Sequence, residues 1–105
     1  MIDLAVLVEK CSDWSHERKI IENSNSLVQF AKLVSEVGEL ADNIAKGRDI
    51  EDDIGDCLVV LNNLALMNNT TLADCLSVAY DDIKDRKGYM NSNGVFIKEG
   101  DVNAL

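Results

Sequence analysis

Over the first 84 residues, turn-forming residues gather in three short clusters, and the chain contains no proline. The clusters lie at residues 23–26, 46–49 and 68–71 and consist mainly of Asn, Ser, Thr, Gly and Asp. Such residues mark the ends of regular elements, and a chain without proline lacks the strongest helix breaker. The segments between the clusters are therefore predicted to be helices, which makes the fold class all-α.

Apolar residues recur at helical spacing in each of these segments. The four predicted helices span about residues 3–21, 26–46, 50–67 and 71–84, and residues 14–15 are where the first would break. Ser26 is predicted to cap the second helix in a capping box with Gln29, and Gly47 is predicted to end it. Asp49 is predicted to cap the third helix. A further capping box at residues 71–74 begins the fourth.

The third predicted helix carries apolar residues on nearly every side. Leu58 and Leu61 point one way, and Val59 and Leu66 point another. Such a helix has to be covered on more than one side, and a chain of 105 residues has few helices to do so. We therefore expect a second subunit to supply part of the cover, in a homodimer or homotetramer.

The pattern changes after the fourth helix. Residues 89–90 and 95–97 read as two short extended pieces joined by a turn that contains Asn93-Gly94, which predicts a β-hairpin. The prediction is a helical bundle of about four helices with a short hairpin-like segment near its end. We expect residues 1–105 to form a single domain, with about residues 99–105 as a tail.

Composition excludes several classes of protein. A net charge of −9 argues against binding a nucleic-acid polymer, which depends on Lys and Arg, and it favours a divalent cation as ligand. No apolar run approaches the roughly 20 residues needed to cross a bilayer, and no secretory signal is recognisable, so we expect no membrane association and a cytoplasmic location. The three cysteines, Cys11, Cys57 and Cys75, lack paired spacing and are predicted to be reduced core residues.

Two pairs of carboxylates provide the candidate site. Glu36 and Glu39 lie at i, i+3 on the second helix, as do Asp53 and Asp56 on the third. The helices should form an antiparallel hairpin that turns near Gly47, and the four positions are centred about one residue from that turn, so the pairs should meet. Four crowded carboxylates repel one another unless a cation lies between them, and Mg²⁺ prefers oxygen ligands. The alternative is a solvated acidic face, since 19 acidic residues produce such spacings by chance.

The same residues resemble a known family. Residues 32–40, Lys-Leu-Val-Ser-Glu-Val-Gly-Glu-Leu, followed by residues 53–58, Asp-Ile-Gly-Asp-Cys-Leu, are similar to the E-x-x-E and E-x-x-D signature of MazG-like all-α nucleoside triphosphate pyrophosphohydrolases. Trp14, Arg18 and residues 84–96 resemble the small members found in phages and bacteria. Asp53 stands where the family usually has Glu, which shortens its reach, so it could bind metal through water. Ser35 stands where many members have another Glu.

The resemblance implies an oligomeric hydrolase that converts a (d)NTP and water to the (d)NMP and pyrophosphate. It implies Mg²⁺, with Mn²⁺ able to substitute, held by Glu36, Glu39, Asp53 and Asp56. Water would attack the α-phosphorus, and Glu36 or Glu39 would be the base that orients or deprotonates it.

Other residues are candidates for binding the substrate. Lys84 and Arg86 belong to a basic segment suited to phosphate, although basic residues also stabilise the end of a helix. Trp14 is the only tryptophan and is a candidate platform for a base, the alternative being a core position. Lys32 and Asn63 lie on the same helical strips as the carboxylates and complete the predicted substrate site.

Two other functions fit the sequence. An acidic helical interaction protein without enzymatic activity would spread its carboxylates over the surface and need no Mg²⁺. A related pyrophosphohydrolase that acts on a phosphoribosyl metabolite would share the metal site and differ in its pocket.

Overall fold

The computed structural model describes residues 1–100 and contains five helices and a two-stranded antiparallel sheet. These elements are α1 (Leu4–Glu17), α2 (Ile20–Asn23), α3 (Ser26–Ala45), α4 (Glu51–Met67), α5 (Leu72–Ile83), β1 (Gly88–Met90) and β2 (Phe96–Lys98). The chain forms two compact units, of which the first ends at Leu72 and the second begins at Ala73. The single domain over residues 1–105 stays a prediction, and residues 101–105 of the predicted tail lie outside the described residues.

The first predicted helix is broken, but later than expected. Trp14 and Ser15 lie inside α1, and the break falls at Lys19, which takes a left-handed conformation with φ of 60°. Its amide bonds to the carbonyl of His16, as at many helix ends. The chain then forms the short α2, so the structure has five helices where about four were predicted. Lysine has no turn preference, which is why the pattern did not mark this position.

The predicted helix caps are shifted by one residue. Asn25 caps α3, because its side chain accepts from the Val28 amide at 2.9 Å. The capping box at Ser26 is therefore wrong. Asp49 lies one residue before the N-cap position of α4 and accepts from the Glu51 amide at 3.1 Å. Gly47 follows the end of α3 with φ of 66°, which confirms it as the stop.

Helices α3 and α4 pack along each other as the predicted antiparallel hairpin. Three hydrogen-bonded side-chain pairs run from the turn to the far end of this hairpin, Asn43–Asp53, Gln29–Asn63 and Ser26–Asn68. Each pair is centred within about two residues of Gly47, which fixes the register. Helix α1 also packs against α4.

Much of the interior of the first unit is polar. The buried polar residues are Ser15, Gln29, Glu36, Asp53, Asn62 and Asn63, whereas Val60 and Ala65 are the buried apolar side chains described in this unit. Many large apolar side chains of the same helices stay exposed, among them Phe30, Val34, Leu58 and Leu61. Exposed apolar surface of this extent is typical of subunits that associate.

The predicted hairpin is confirmed. Strands β1 and β2 pair antiparallel with Tyr89 opposite Ile97, and the turn between them uses Gly94 at φ of 80°. Cys75 is exposed, which contradicts its prediction as a core residue, and Cys11 and Cys57 are half-buried. Over residues 1–100, no helix is long and apolar enough to cross a bilayer.

Candidate metal centre and adjoining cavity

Three of the four predicted metal ligands converge on one point. Glu36, Glu39 and Asp56 each offer one carboxylate oxygen, and these oxygens lie within 4.8 Å of one another. The i, i+3 spacing places Glu36 and Glu39 on one side of α3, and the antiparallel packing brings Asp56 of α4 to the same level. The arrangement offers three hard oxygen donors from two helices.

Glu36 is the buried member of this group, with 6 % of its surface exposed. Its Oε1 pairs with Lys32 Nζ at 3.0 Å. Its Oε2 is buried and has no hydrogen-bond partner among the described residues. A buried carboxylate oxygen without a partner is unfavourable unless a cation neutralises it. This orphaned oxygen fits a divalent metal ion.

Repulsion and burial raise the pKa values of the other two carboxyl groups. The negative charge of Glu36 raises the pKa of Glu39 above its ordinary value. Burial raises the pKa of Asp56, with further contributions from the charges of Asp52 and Glu36. Pairing with Glu36 raises the pKa of Lys32. A bound cation would relieve this crowding, since it favours the ionised carboxylates.

Asp53 lies outside the converging group. Its carboxylate is buried, and its Oδ2 accepts a hydrogen bond of 2.8 Å from Asn43 Nδ2. Its charge nevertheless contributes to the raised pKa values of Glu39 and Asp56, so it belongs to the same electrostatic environment. Asn43 lies on the same side of α3 as Glu36 and Glu39, and from there it orients Asp53 of the neighbouring helix.

A cavity of about 750 Å³ adjoins the carboxylates. Glu36 and Asp56 line it, together with three of the predicted substrate-binding residues, Trp14, Lys32 and Asn63. The remaining wall is formed largely by the segment from Arg18 to Asn25 and by Gln29. The structure therefore brings three of the predicted substrate residues together beside the candidate metal ligands.

Trp14 lies at the wall of this cavity and not in the core, since 45 % of it is exposed. The guanidinium of Arg18 lies 4.3 Å from the centroid of its ring, a cation–π arrangement. The Arg18 side chain also donates to the carbonyl of Trp14. The indole is thus held in place while part of its surface stays accessible.

Polar side chains that bond to one another form another part of the cavity wall. Asn63 and Gln29 are joined by a hydrogen bond of 3.1 Å, and Ser15 donates to Asn63 at 2.6 Å. Ser15 was not among the predicted site residues. A serine inside an amphipathic helix carries no pattern that would reveal such a contact, since its partner lies 48 residues away.

Lys84 and Arg86 belong to the second unit. Lys84 pairs with Asp81 at 3.3 Å and Arg86 pairs with Asp82 at 2.7 Å, both partners being on α5. Both basic residues therefore pair with acidic residues of the same segment. These pairs favour a structural role at the end of the helix, which was the alternative to phosphate binding. Their binding of substrate stays a prediction.

Comparison with known proteins gives three findings. The family model for the MazG nucleotide pyrophosphohydrolase domain matches residues 24–88. An uncharacterised 18.2 kDa protein from the rep-hol intergenic region of Haemophilus phage HP1 is 41 % identical over 71 residues, which are 66 % of this chain and 44 % of that protein. The chain thus spans less than half the length of that relative.

The fold is also found in a solved structure, the cyanophage S-2L MazG-like pyrophosphohydrolase bound to dGDP and three catalytic Mn²⁺ ions per active site. The two structures agree with a TM-score of 0.67 at 21 % identity, over 93 % of this chain and 98 % of the other. The likeness confirms the predicted helical architecture.

Proposed function

The chain belongs to the MazG nucleotide pyrophosphohydrolase domain family, and we propose that it hydrolyses a (d)NTP to the (d)NMP and pyrophosphate with a divalent cation. The observation that carries this proposal is the orphaned Oε2 of Glu36, which lies within a group of three carboxylates at the edge of a cavity. The cavity, at about 750 Å³, is within the usual range for small-molecule sites of roughly 300–1,000 Å³.

Glu36, Glu39 and Asp56 would hold the cation directly. Asp53 would act through water or by its charge, since Asn43 already binds one of its oxygens. The donors are all carboxylate oxygens, which suit Mg²⁺, and the Mn²⁺ ions of the cyanophage relative support Mn²⁺ as a substitute. When bound, the cation would neutralise charge on the phosphates.

The side chains around the cation divide the remaining tasks. A carboxylate oxygen of Glu36 or Glu39 would orient the attacking water and accept its proton. Lys32 reaches Glu36 Oε1 and lines the cavity, so it can bind a phosphate oxygen once a cation neutralises Glu36. Trp14 would stack on the base, and Asn63 would contact the nucleoside from the opposite helix.

The deciding experiment measures pyrophosphate release from a panel of ribo- and deoxyribonucleoside triphosphates, with Mg²⁺, with Mn²⁺ and with chelator. We expect release that requires either cation. Release from a phosphoribosyl metabolite alone would favour the related pyrophosphohydrolase. No release from any compound would favour the acidic interaction protein, which the burial of Glu36 and Asp53 already disfavours. A cytoplasmic location and the absence of a nucleic-acid partner stay predictions.

We expect the protein to be a homodimer or homotetramer whose interface includes α4. Leu58 and Leu61 on this helix are 43 % and 38 % exposed in the single chain, and Phe30 on α3 is 55 % exposed. Multi-angle light scattering at micromolar concentration should give twice or four times the mass of 11.6 kDa. Leu61→Lys should shift the protein to smaller species, whereas Glu9→Lys, at an exposed position of α1, should not. A stable monomer of the parent protein would contradict the prediction.

Arg86→Ala is expected to raise KM for the nucleotide while it changes the melting temperature little. The guanidinium suits phosphate oxygens, and its pair with Asp82 is exposed, so its loss should change stability by about 0–1 kcal/mol. Steady-state kinetics and a thermal melt measure the two effects. Asp82→Asn is the matched control, because it removes the partner and keeps the guanidinium. If both variants raised KM equally, or neither did, Arg86 would have only a structural role.

A further inference from the structure

Four side chains form a continuous series of hydrogen bonds beside the cavity, and three of them, Asn63, Gln29 and Ser24, line it. The Ser15 hydroxyl of α1 donates to Asn63 Oδ1 of α4 at 2.6 Å, and Asn63 Nδ2 donates to Gln29 Oε1 of α3 at 3.1 Å. Gln29 Nε2 then donates to Ser24 Oγ at 3.2 Å. The series therefore links three helices and ends in the segment before α3.

The direction of this series follows from Ser15. Its side chain has no exposed surface, and the hydrogen bond that the structure gives its hydroxyl is the one to Asn63. A fully buried hydroxyl hydrogen needs an acceptor, and in the structure that acceptor is Asn63 Oδ1, so the amide oxygen of Asn63 faces Ser15. The Asn63 amide nitrogen then faces Gln29, which must offer its own oxygen in return. One buried hydroxyl thereby sets the orientation of both amides.

Each amide nitrogen keeps one N–H beyond the bonds in the series. Asn63 and Gln29 both line the cavity, and their exposed fractions are 4 % and 9 %. Most buried polar side-chain atoms in proteins are hydrogen-bonded to protein or to water, so these remaining N–H groups are available to an acceptor from water or from a ligand. Because both residues line the cavity, their amide groups are the donors that its wall can offer at this place.

We propose that Ser15 is a positioning residue that makes the cavity selective for nucleosides with an acceptor oxygen facing Asn63 and Gln29. This inference rests on the proposed function, since it takes the cavity as the nucleoside site. The acceptor would be a carbonyl oxygen of the base or a hydroxyl oxygen of the sugar. Ser15 touches neither, and it acts by holding the amide of Asn63 in the donor orientation.

The chain contains a matched control for this proposal. Ser12 and Asn62 form an analogous contact between the same two helices, with Asn62 Nδ2 donating to Ser12 Oγ at 3.0 Å. Asn62 is buried to a similar degree as Asn63, at 3 % exposed, but neither Ser12 nor Asn62 lines the cavity. A purely structural serine–asparagine contact can therefore be removed without touching the series at Ser15.

The test uses Trp14 as its probe, because it is the only tryptophan and lies at the cavity. Its fluorescence is titrated with nucleoside 5′-monophosphates in chelator, so that neither cation nor hydrolysis is involved. Ser15→Ala should weaken binding of the best monophosphate by about five- to tenfold, the loss expected for one hydrogen bond. Ser12→Ala should stay within about twofold of the parent. Equal effects of the two variants, or none at Ser15, would overturn the proposal.

Selectivity distinguishes the two sources of the acceptor. The pair dUMP and dCMP differs by a carbonyl against an amino group on the base, and the pair UMP and dUMP differs by the 2′-hydroxyl. We expect the parent to discriminate within one pair and Ser15→Ala to lose that discrimination. Discrimination that Ser15→Ala leaves intact would overturn the proposal.

If Ser15→Ala melts too low for titration, Ser15→Cys decides, since it fills the site with a slightly larger side chain and offers only a weak donor. The discrimination that Ser15→Cys shows between the nucleotides should then be weaker than that of the parent and of Ser12→Ala, but not completely lost. Binding with the expected selectivity in a parent that releases no pyrophosphate would refute the proposed function and leave this inference standing. Failure of the parent to bind any monophosphate, while it hydrolyses triphosphates, would refute this inference and leave the proposed function standing.

Discussion

Glu36→Gln is expected to lower pyrophosphate release by at least about a hundredfold and to weaken binding of the divalent cation by a similar factor. Groups that only orient metal ligands change affinity or activity by roughly 10–100-fold, so removal of a buried ligand should do at least as much. Glu36 is the buried member of the converging group, and its Oε2 has no other partner among the described residues. An amide at this position keeps the volume and loses the charge.

The measurement separates binding from catalysis. Calorimetric titration with Mn²⁺ or Mg²⁺ gives cation affinity without substrate, and steady-state kinetics gives the loss of activity. Glu9→Gln makes the same chemical change at an exposed position of α1 and should alter neither quantity. A Glu36→Gln protein that bound the cation as tightly as the parent would show that the orphaned oxygen has another purpose.

The parts of this site that depend on helix geometry were predictable from the sequence. The i, i+3 spacing of Glu36 and Glu39 and the turn at Gly47 are both local features, and together they set the level at which Asp56 meets them. The antiparallel register followed from the short connection between α3 and α4. Local spacing was sufficient here because a helical hairpin leaves little freedom in how its two members align.

Three features were not predictable, one because it depends on a contact between helices and two because no local signal distinguishes them. Asp53 lies outside the converging group and bonds to Asn43, and this contact depends on the rotamers of two side chains on different helices. The break at Lys19 has no signal in a residue without turn preference, although it shapes the cavity wall beside Arg18. The cap at Asn25 was missed because the adjacent Ser and Asn residues of this segment are all good N-caps of similar strength.

Glu39→Gln is expected to abolish hydrolysis and weaken binding of Mg²⁺, yet to leave the metal-free protein as stable as the parent or more so. Loss of activity should be about a hundredfold or more, whether Glu39 is a ligand, the general base or both. The effect on stability has an electrostatic origin, because the charge of Glu36 raises the pKa of Glu39. Neutralising Glu39 removes this repulsion while it deletes a ligand.

The pH dependence gives the sign of the stability effect. A carboxyl whose pKa is raised by folding binds its proton more tightly in the folded state. Its stabilising contribution is complete below the pKa of the unfolded chain and is lost as the pH rises through the raised pKa of the folded state. The metal-free parent should therefore lose stability over that interval, and Glu39→Gln should lose less. The difference between their melting temperatures should be near zero at about pH 4 and should favour the variant at about pH 7.

A bound cation should reverse this order. Saturating Mg²⁺ stabilises the folded parent in proportion to the logarithm of its concentration over Kd, and it should stabilise Glu39→Gln far less. Parent and variant should therefore exchange ranks in melting temperature when Mg²⁺ replaces chelator at neutral pH. An unfolding mutation cannot produce this exchange, because it lowers the melting temperature under both conditions.

Glu22→Gln is the control for this exchange, since Glu22 lies outside the carboxylate group and hydrogen-bonds to His16 at 2.9 Å. That bond lowers the pKa of Glu22, so its contribution has the opposite sign: it is present above the unfolded pKa and is lost as the pH falls through the lowered folded value. Glu22→Gln should leave hydrolysis and Mg²⁺ binding unchanged, and it should not raise the metal-free melting temperature at neutral pH. If Glu39→Gln instead kept Mg²⁺-dependent pyrophosphate release within a few-fold of the parent, the assignment of the carboxylate site would be wrong, because Glu39 would then not be needed to bind the cation.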